Sequence, residues 1–340
     1  MIERSVSMGP LTVRQAPLSV AGLRHSYDLC IGVSSWESRA VTAFEQLPAF
    51  DAAWEVWAFS SNDSERASAK AACFERLKTL REESVGFLQL FGSLQYEKNF
   101  HLIQRHIATR RAEKGEPLSI LLDMTCMPKK YILFILGMAY RNEYVRAIDF
   151  IYAEGAYKNS NAVDPQGLMS WSSSEGEWSS VQVPYLEAEN FIPDARGLIV
   201  ALGAEISASI PFIERYEPGW ISLISVEDDP ARINTSAIDK ERRLLRELES
   251  LPITMSQVFA LEDLLKVAEN CRDLCREHRD MAVTGLAIGA KPHALGLGVA
   301  ALSVPNFEIV CRLPSHYLSG DVAPTGQVYV YSTEDRFEPR

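Results

Sequence analysis

The sequence predicts an α/β protein built from two Rossmann-like halves, each with a mostly parallel sheet. Three observations predict it. Apolar runs of five to eight residues alternate with longer amphipathic stretches, which is the rhythm of βαβ units. The rhythm breaks in a Ser-, Gly- and Asn-rich segment at 158–192 and then restarts. Two strand–loop–helix–strand units, one on each side of the break, look alike: SILLDM–TCMPKK–YILFILGMAY–AIDFIY and MAVTGL–AIGAKPH–ALGLGVAAL–FEIVCR.

The elements follow in order. The first twenty residues lack a signal-peptide core and read as an arm before the first strand. That strand is 27–33 (YDLCIGV), and the turn SSWESR leads from it into a helix over 41–46. A strand at 54–59 follows, and SNDSER caps a helix over 65–80. A short strand at 86–91 and a helix at 96–111 come next. The first strong unit then has a buried strand at 119–124, a loop at 125–130, a helix over 131–140 and a strand at 147–152. Pro128 suits a first helical turn, where its missing N–H costs nothing.

Residues 158–195 read as a linker or β insertion containing Trp171 and Trp178. They separate an N-terminal domain, 1–157, from a C-terminal one, 196–340. The second half opens with a strand at 197–202, a helix from Gly203-Ala204-Glu205 through 213, and a strand at 220–226. Helices at 236–249, capped by Thr235 or Ser236, and at 262–277 precede the second strong unit. That unit has a strand at 281–286, a loop at 287–293, a helix at 294–302 and a strand at 307–312, and a last strand covers 327–331. An internal duplication explains the likeness of the halves; separate use of one common architecture explains it equally well.

Composition narrows the function. The chain has 340 residues, is 47% hydrophobic and carries a net charge of −11. An acidic total argues against a duplex-DNA binder, which needs a basic face, but leaves room for a local basic pocket. No run of 18 apolar residues occurs, so no membrane span is expected. The six cysteines form no CxxC pair and read as reduced thiols of a cytoplasmic protein. Cys271, Cys275 and His278 share a helix face, but no fourth ligand is evident, so no metal is expected. The P-loop and GxGxxG patterns are absent, and no cofactor is expected. No GxSxG, HExxH or nucleophile–base–orienter set is visible, so a catalytic residue cannot be assigned.

Ligands of open parallel sheets bind beyond the carboxyl ends of the strands. The candidate residues are therefore in loops that follow strands. In 34–39, Ser34 and Ser35 offer hydroxyls and Arg39 a guanidinium suited to phosphate or carboxylate. The same residues also read as a capped helix start. In 125–130, Thr125 offers a hydroxyl and Lys129 or Lys130 a cation, with Asp123 at the strand end; a cap and solvated lysines are the plain alternative. Around the loop 287–293, Gly285 in the strand before it and Gly289 permit close backbone approach, Lys291 stands at a helix start, and His293 can donate a hydrogen bond or titrate near neutral pH. Here the glycines also read as simple turn residues. Glu205 is a further candidate for a ribose hydroxyl.

The stretch AVTGLAIGAKPHALGLGVAAL resembles the strand–loop–helix of CARF-type domains, Rossmann-like sensors of prokaryotic antiviral systems that bind cyclic oligoadenylates. Their Thr-Gly-Gly-Thr-Lys-type loop is matched in residue type by Thr284, Gly285, Gly289 and Lys291, with three residues between the glycines and Ala290 in place of the second threonine. The resemblance implies a nucleotide-binding regulatory or scaffold subunit of a defence system, with a cyclic or linear nucleotide as ligand. It also implies a homo-oligomer or an effector-protein partner. A ring-nuclease-like enzyme cleaving a phosphodiester is the alternative. A protein-interaction subunit with purely architectural glycines, docking through Trp171 and Trp178, is another.

Overall fold

The computed structural model describes residues 3–48, 50–61, 64–80, 85–156, 174–189, 195–203, 206–227, 239–317 and 321–336. The chain forms two compact units, Met1–Gly155 with Asp321–Arg340, and Ala156–Gly320.

The first unit opens with an antiparallel hairpin, β1 (Arg4–Met8) and β2 (Leu11–Pro17). Gly9, at φ 56°, and Pro10 make its two-residue turn. Glycine accepts the positive φ that such turns require at their first position, and proline fits the negative φ of the second in a type II′ turn. Then come β3 (Ser26–Ser34), α1 (Thr42–Gln46), β4 (Asp51–Phe59), α2 (Ser64–Thr79) and β5 (Gly86–Leu90). The run closes with α3 (Tyr96–Lys114), β6 (Leu118–Asp123), α4 (Lys129–Arg141) and β7 (Val145–Ala156). Gly115 ends α3 in the left-handed region at φ 84°, returning its N–H to the Arg111 carbonyl.

The second unit contains β8 (Ser174–Gln182), β9 (Arg196–Ala201), α5 (Ile210–Tyr216), β10 (Trp220–Val226) and α6 (Asp239–Glu249). It continues with β11 (Thr254–Phe259), α7 (Leu264–Glu277), β12 (Ala282–Ala287), α8 (Lys291–Ala301) and β13 (Phe307–Tyr317). The chain then returns to the first unit as β14 (Ala323–Asp335).

The first sheet runs β1-β2-β14-β7-β6-β3-β4-β5, and the second β11-β10-β9-β12-β13-β8. The parallel strands of each, counted along the chain, share one spatial order: third, second, first, fourth, fifth. This is the order of doubly wound α/β folds, and it reverses between the first strand and the fourth. The two strong sequence units occupy the same place in both sheets: β6–α4–β7 and β12–α8–β13. Strands inside such sheets are covered on both faces, so they read as unbroken apolar runs. All six residues of β6 are buried, and so are five of the six in β12.

Several elements differ from the sequence reading. The N-terminal arm is a hairpin, held to the sheet by β2 pairing with β14. The last strand belongs to the first unit and not to residues 196–340, because its partner is β2. Strand β11 was not expected; it is an edge strand whose Met255 and Val258 stay exposed, so no apolar run marks it. In the 158–195 segment, β8 joins the second sheet antiparallel to β13. Trp171, Ala204, Glu205, Thr235 and Ser236 lie outside the described residues. No described helix is long and apolar enough to cross a membrane.

Candidate ligand site at the strand ends

The loops that follow the first and fourth strands of each unit flank the point where strand order reverses. In the first unit these are the loops after β3 and β6, and in the second those after β9 and β12. Ser35, Arg39, Thr125, Lys129, Gly289, Lys291 and His293 lie in such a loop or in the helical turn that it opens, whereas Ser34 ends β3 and Gly285 lies within β12.

In the first unit most of the predicted polar groups serve the fold. Ser34 Oγ donates to the Lys70 carbonyl at 2.6 Å, tying the end of β3 to α2. Ser35 Oγ accepts from the Glu37 N–H at 3.4 Å. Arg39 is buried, with Nε 2.7 Å from Glu37 Oε2 and its guanidinium near the Tyr152 ring. Asp123 Oδ1 accepts from the Thr125 N–H at 2.8 Å, and Thr125 Oγ1 accepts from the Ala153 N–H at 2.9 Å. This pair locks the β6 exit against β7. Lys130 is fully buried, its Nζ 4.9 Å from the centre of its neighbour's ring, Tyr131. Lys129 is half-buried and is the first residue of α4.

In the second unit the glycines do packing work. A Cβ on Gly285 would stand 2.7 Å from Phe307 Cζ, so its missing side chain admits a ring from β13. A Cβ on Gly289 would stand 2.1 Å from the Leu202 carbonyl oxygen. The Gly289 N–H donates to the Ala201 carbonyl at 2.7 Å. The close approach that Gly289 permits is thus to the chain's own β9 exit. Thr284 lies within β12, with Oγ1 at 2.8 Å from both Tyr216 Oη and Glu308 Oε1, and is not part of the loop. His293 is fully buried, with Nε2 2.8 Å from the Ala260 carbonyl. Burial pushes its pKa down, so the ring is a neutral core group turned from solvent. Lys291 is half-buried and is the first residue of α8.

The two units therefore agree on one feature. Lys129 opens α4 behind Pro128, and Lys291 opens α8 behind Ala290. Neither N-cap side chain accepts a hydrogen bond from the first turn. The first turn of a helix bears partial positive charge, so a lysine there works against the helix dipole by about 0.3–1 kcal/mol. An anion beyond the turn would reverse that sign.

Sequence reasoning missed three further groups. Trp36, in the loop after β3, packs under Arg66 and Lys70 of α2. The signal was available as a tryptophan in a strand-end loop and two cations one helical turn apart. His106 of α3 reaches Glu55 of β4 at 2.8 Å. Glu55 also accepts from Trp57 Nε1 at 3.0 Å and from Arg110 at 2.5 Å. Burial pushes the Glu55 pKa up, but the bonds from His106, Trp57 and Arg110 outweigh it and bring it down to about 2. A small cavity lined by Gly32, Phe44, Trp54, Glu55, Val56, Leu77 and Val85 touches none of the predicted ligand residues. Cys271 and Cys275 are buried in α7, with thiols pushed up chiefly by burial, and His278 stacks on Trp220 at 4.6 Å.

Fold and site define a two-unit α/β protein with doubly wound sheets, whose strand-end loops deliver a lysine to the same place in each unit. No protein-family model matches the sequence, and no curated protein matches it. The cytoplasmic domain of a prokaryotic cation chloride cotransporter aligns with 85% of this chain and 96% of its own, at 10% identity and a TM-score of 0.23. A similarity of that size carries no argument about function.

Proposed function

We propose that the protein is a nucleotide-binding regulatory or scaffold subunit that takes a phosphorylated ligand beyond the strand ends. The observation that supports this is the matched pair Lys129 and Lys291, each first in an uncapped helix beside the reversal of strand order. The positive end of a helix dipole together with an ammonium suits a phosphate oxygen. The resemblance to cyclic-oligonucleotide sensors of prokaryotic antiviral defence suggests the regulatory role, a cytoplasmic setting and an oligomer or effector partner. A sensing role fits better than catalysis, because the hydroxyls of Ser34 and Thr125 are committed to backbone partners and His293 is buried.

The test is thermal denaturation of the full chain with a panel of mono-, di- and triphosphate nucleosides and of linear and cyclic oligoadenylates. A ligand at a hundred times its Kd stabilises by about 2.7 kcal/mol. Lys129→Gln and Lys291→Gln should each reduce that gain. A panel that leaves the melting curve unmoved refutes the reading. Mass spectrometry of the incubated ligand separates sensing from turnover.

A further inference from the structure

Arg312, on β13 of the second unit, is 8% exposed and forms no ion pair among the described residues. It follows Cys311, which pairs with Ala287, the last residue of β12, so its backbone stands level with the strand ends. Its Nε donates to the Ala208 carbonyl at 3.1 Å, and its Nη1 to Ser180 Oγ at 2.8 Å. Ala208 ends the short turn Ile206–Ala208, which leads from β9 toward α5. Ser180 lies on the edge strand β8, directly opposite Arg312. The guanidinium therefore spans from the exit of β9 to the edge of the sheet.

The first unit supplies a comparison. There Tyr152 holds the register position of Arg312, one residue beyond Ile151, which pairs with Asp123 at the end of β6. The arginine comes instead from the turn after β3: Arg39, also buried, lies 6.0 Å from the centre of the Tyr152 ring. Its own loop balances it, with Glu37 at 2.7 Å. Arg312 has two neutral acceptors in place of a carboxylate, and these offset the cost of removing a guanidinium from water only in part. The other charge acting on it is a cation, Arg215 of α5, which together with burial pushes its pKa down. Two of its five N–H donors are spent, and Nη2 has no acceptor among the described residues. Ser180 is exposed, and in accepting from Arg312 it keeps its own O–H to give.

We propose that Arg312, Arg215 and Ser180 form an oxyanion-binding subsite of the second unit, at the turn after β9, which takes a phosphate group of the ligand assigned above. The proposal rests on that ligand's being phosphorylated. Nη1 and Nη2 of Arg312 each keep an N–H for a phosphate oxygen, in the planar fork that suits two oxygens of one group. Arg215 adds a second positive charge, and the Ser180 hydroxyl a neutral donor.

Pyrophosphate is the probe, titrated calorimetrically into the full chain. Binding should weaken roughly tenfold in Arg312→Gln and in Arg215→Gln, the loss of one charge-assisted contact in each. Arg215 is exposed, so its variant should keep the wild-type circular dichroism spectrum whatever Arg312→Gln does to the fold. Arginine-directed labelling of the unaltered protein, read by peptide mass spectrometry, gives a second readout. Pyrophosphate should suppress modification of Arg215 and leave unchanged that of Arg279, which is exposed just before β12 at the opposite end of the strands. Equal affinity in wild type and both variants, or labelling of Arg215 that pyrophosphate does not change, overturns the subsite. A loss of affinity confined to Lys291→Gln also overturns it and leaves the strand-end reading standing. Failure of pyrophosphate to bind at all overturns the subsite, while the nucleotide panel decides the wider reading separately.

Discussion

Glu55 is the group whose loss can be given a size. It is 4% exposed, on β4, and takes hydrogen bonds from His106, Trp57 and Arg110. Its pKa falls from an ordinary 4.5 to about 2. A drop of that size means that the ionised carboxylate adds about 3 kcal/mol to the first unit at neutral pH. The folded-state pKa is depressed, so this stability is present above pH 4.5 and is lost as pH falls toward 2. By pH 3 about 2 kcal/mol of it should be gone. Glu55→Gln keeps the shape but removes the charge. Urea titrations at a series of pH values, read by fluorescence and circular dichroism, should show the variant less stable by about 3 kcal/mol at pH 7. The gap should close progressively below pH 4.5. Parallel profiles for wild type and variant down to pH 3 would refute the account, since the carboxylate would then titrate alike in both states.

Four other outcomes are expected. Gly289→Ala drives a methyl to within 2.1 Å of the Leu202 carbonyl and should destabilise the second unit by about 3 kcal/mol in thermal melts. Gly22→Ala, with nothing within 4 Å, should be neutral or stabilise by a few tenths, about 0.4 kcal/mol. Cys271 and Cys275, buried and with raised thiol pKa values, should resist iodoacetamide in the native protein and react only in denaturant, as peptide mapping would show. His293 has a pKa held below 6.5 by burial, so the unfolded chain takes up a proton first as pH drops. The second unit should therefore lose stability below pH 6.5, and His293→Gln should flatten that slope in denaturant titrations.

The sequence revealed those elements whose burial leaves a pattern. Strands β6 and β12 are covered on both faces, and their apolar runs announced them together with the loops they feed. Lys129 and Lys291 were legible because a strand end followed by a helix start fixes where they stand. Partners distant in sequence were not legible. Strand β14 was recognised as a strand, but its pairing with β2 joins residues more than three hundred apart, and local periodicity carries no trace of that. Edge strand β11 alternates too weakly to stand out. At the site, the roles of Gly285 and Gly289 depended on Phe307 and Leu202, which only the packing brings near. The residues of the Lys70 cluster were in view, but their contacts were not, since Trp36 lies on another element and Phe59 contributes only a carbonyl.

The return of β14 gives the two units different histories during synthesis. All strands of the second unit fall within the continuous stretch 174–317, so its sheet can close once that stretch has left the ribosome. The first unit must wait. Its hairpin is made at the outset but remains unattached to the parallel strands until Ala323–Asp335 emerges to bridge β2 and β7. The unit begun first is thus the one finished last, and until then its β7 edge remains open to the wrong neighbour.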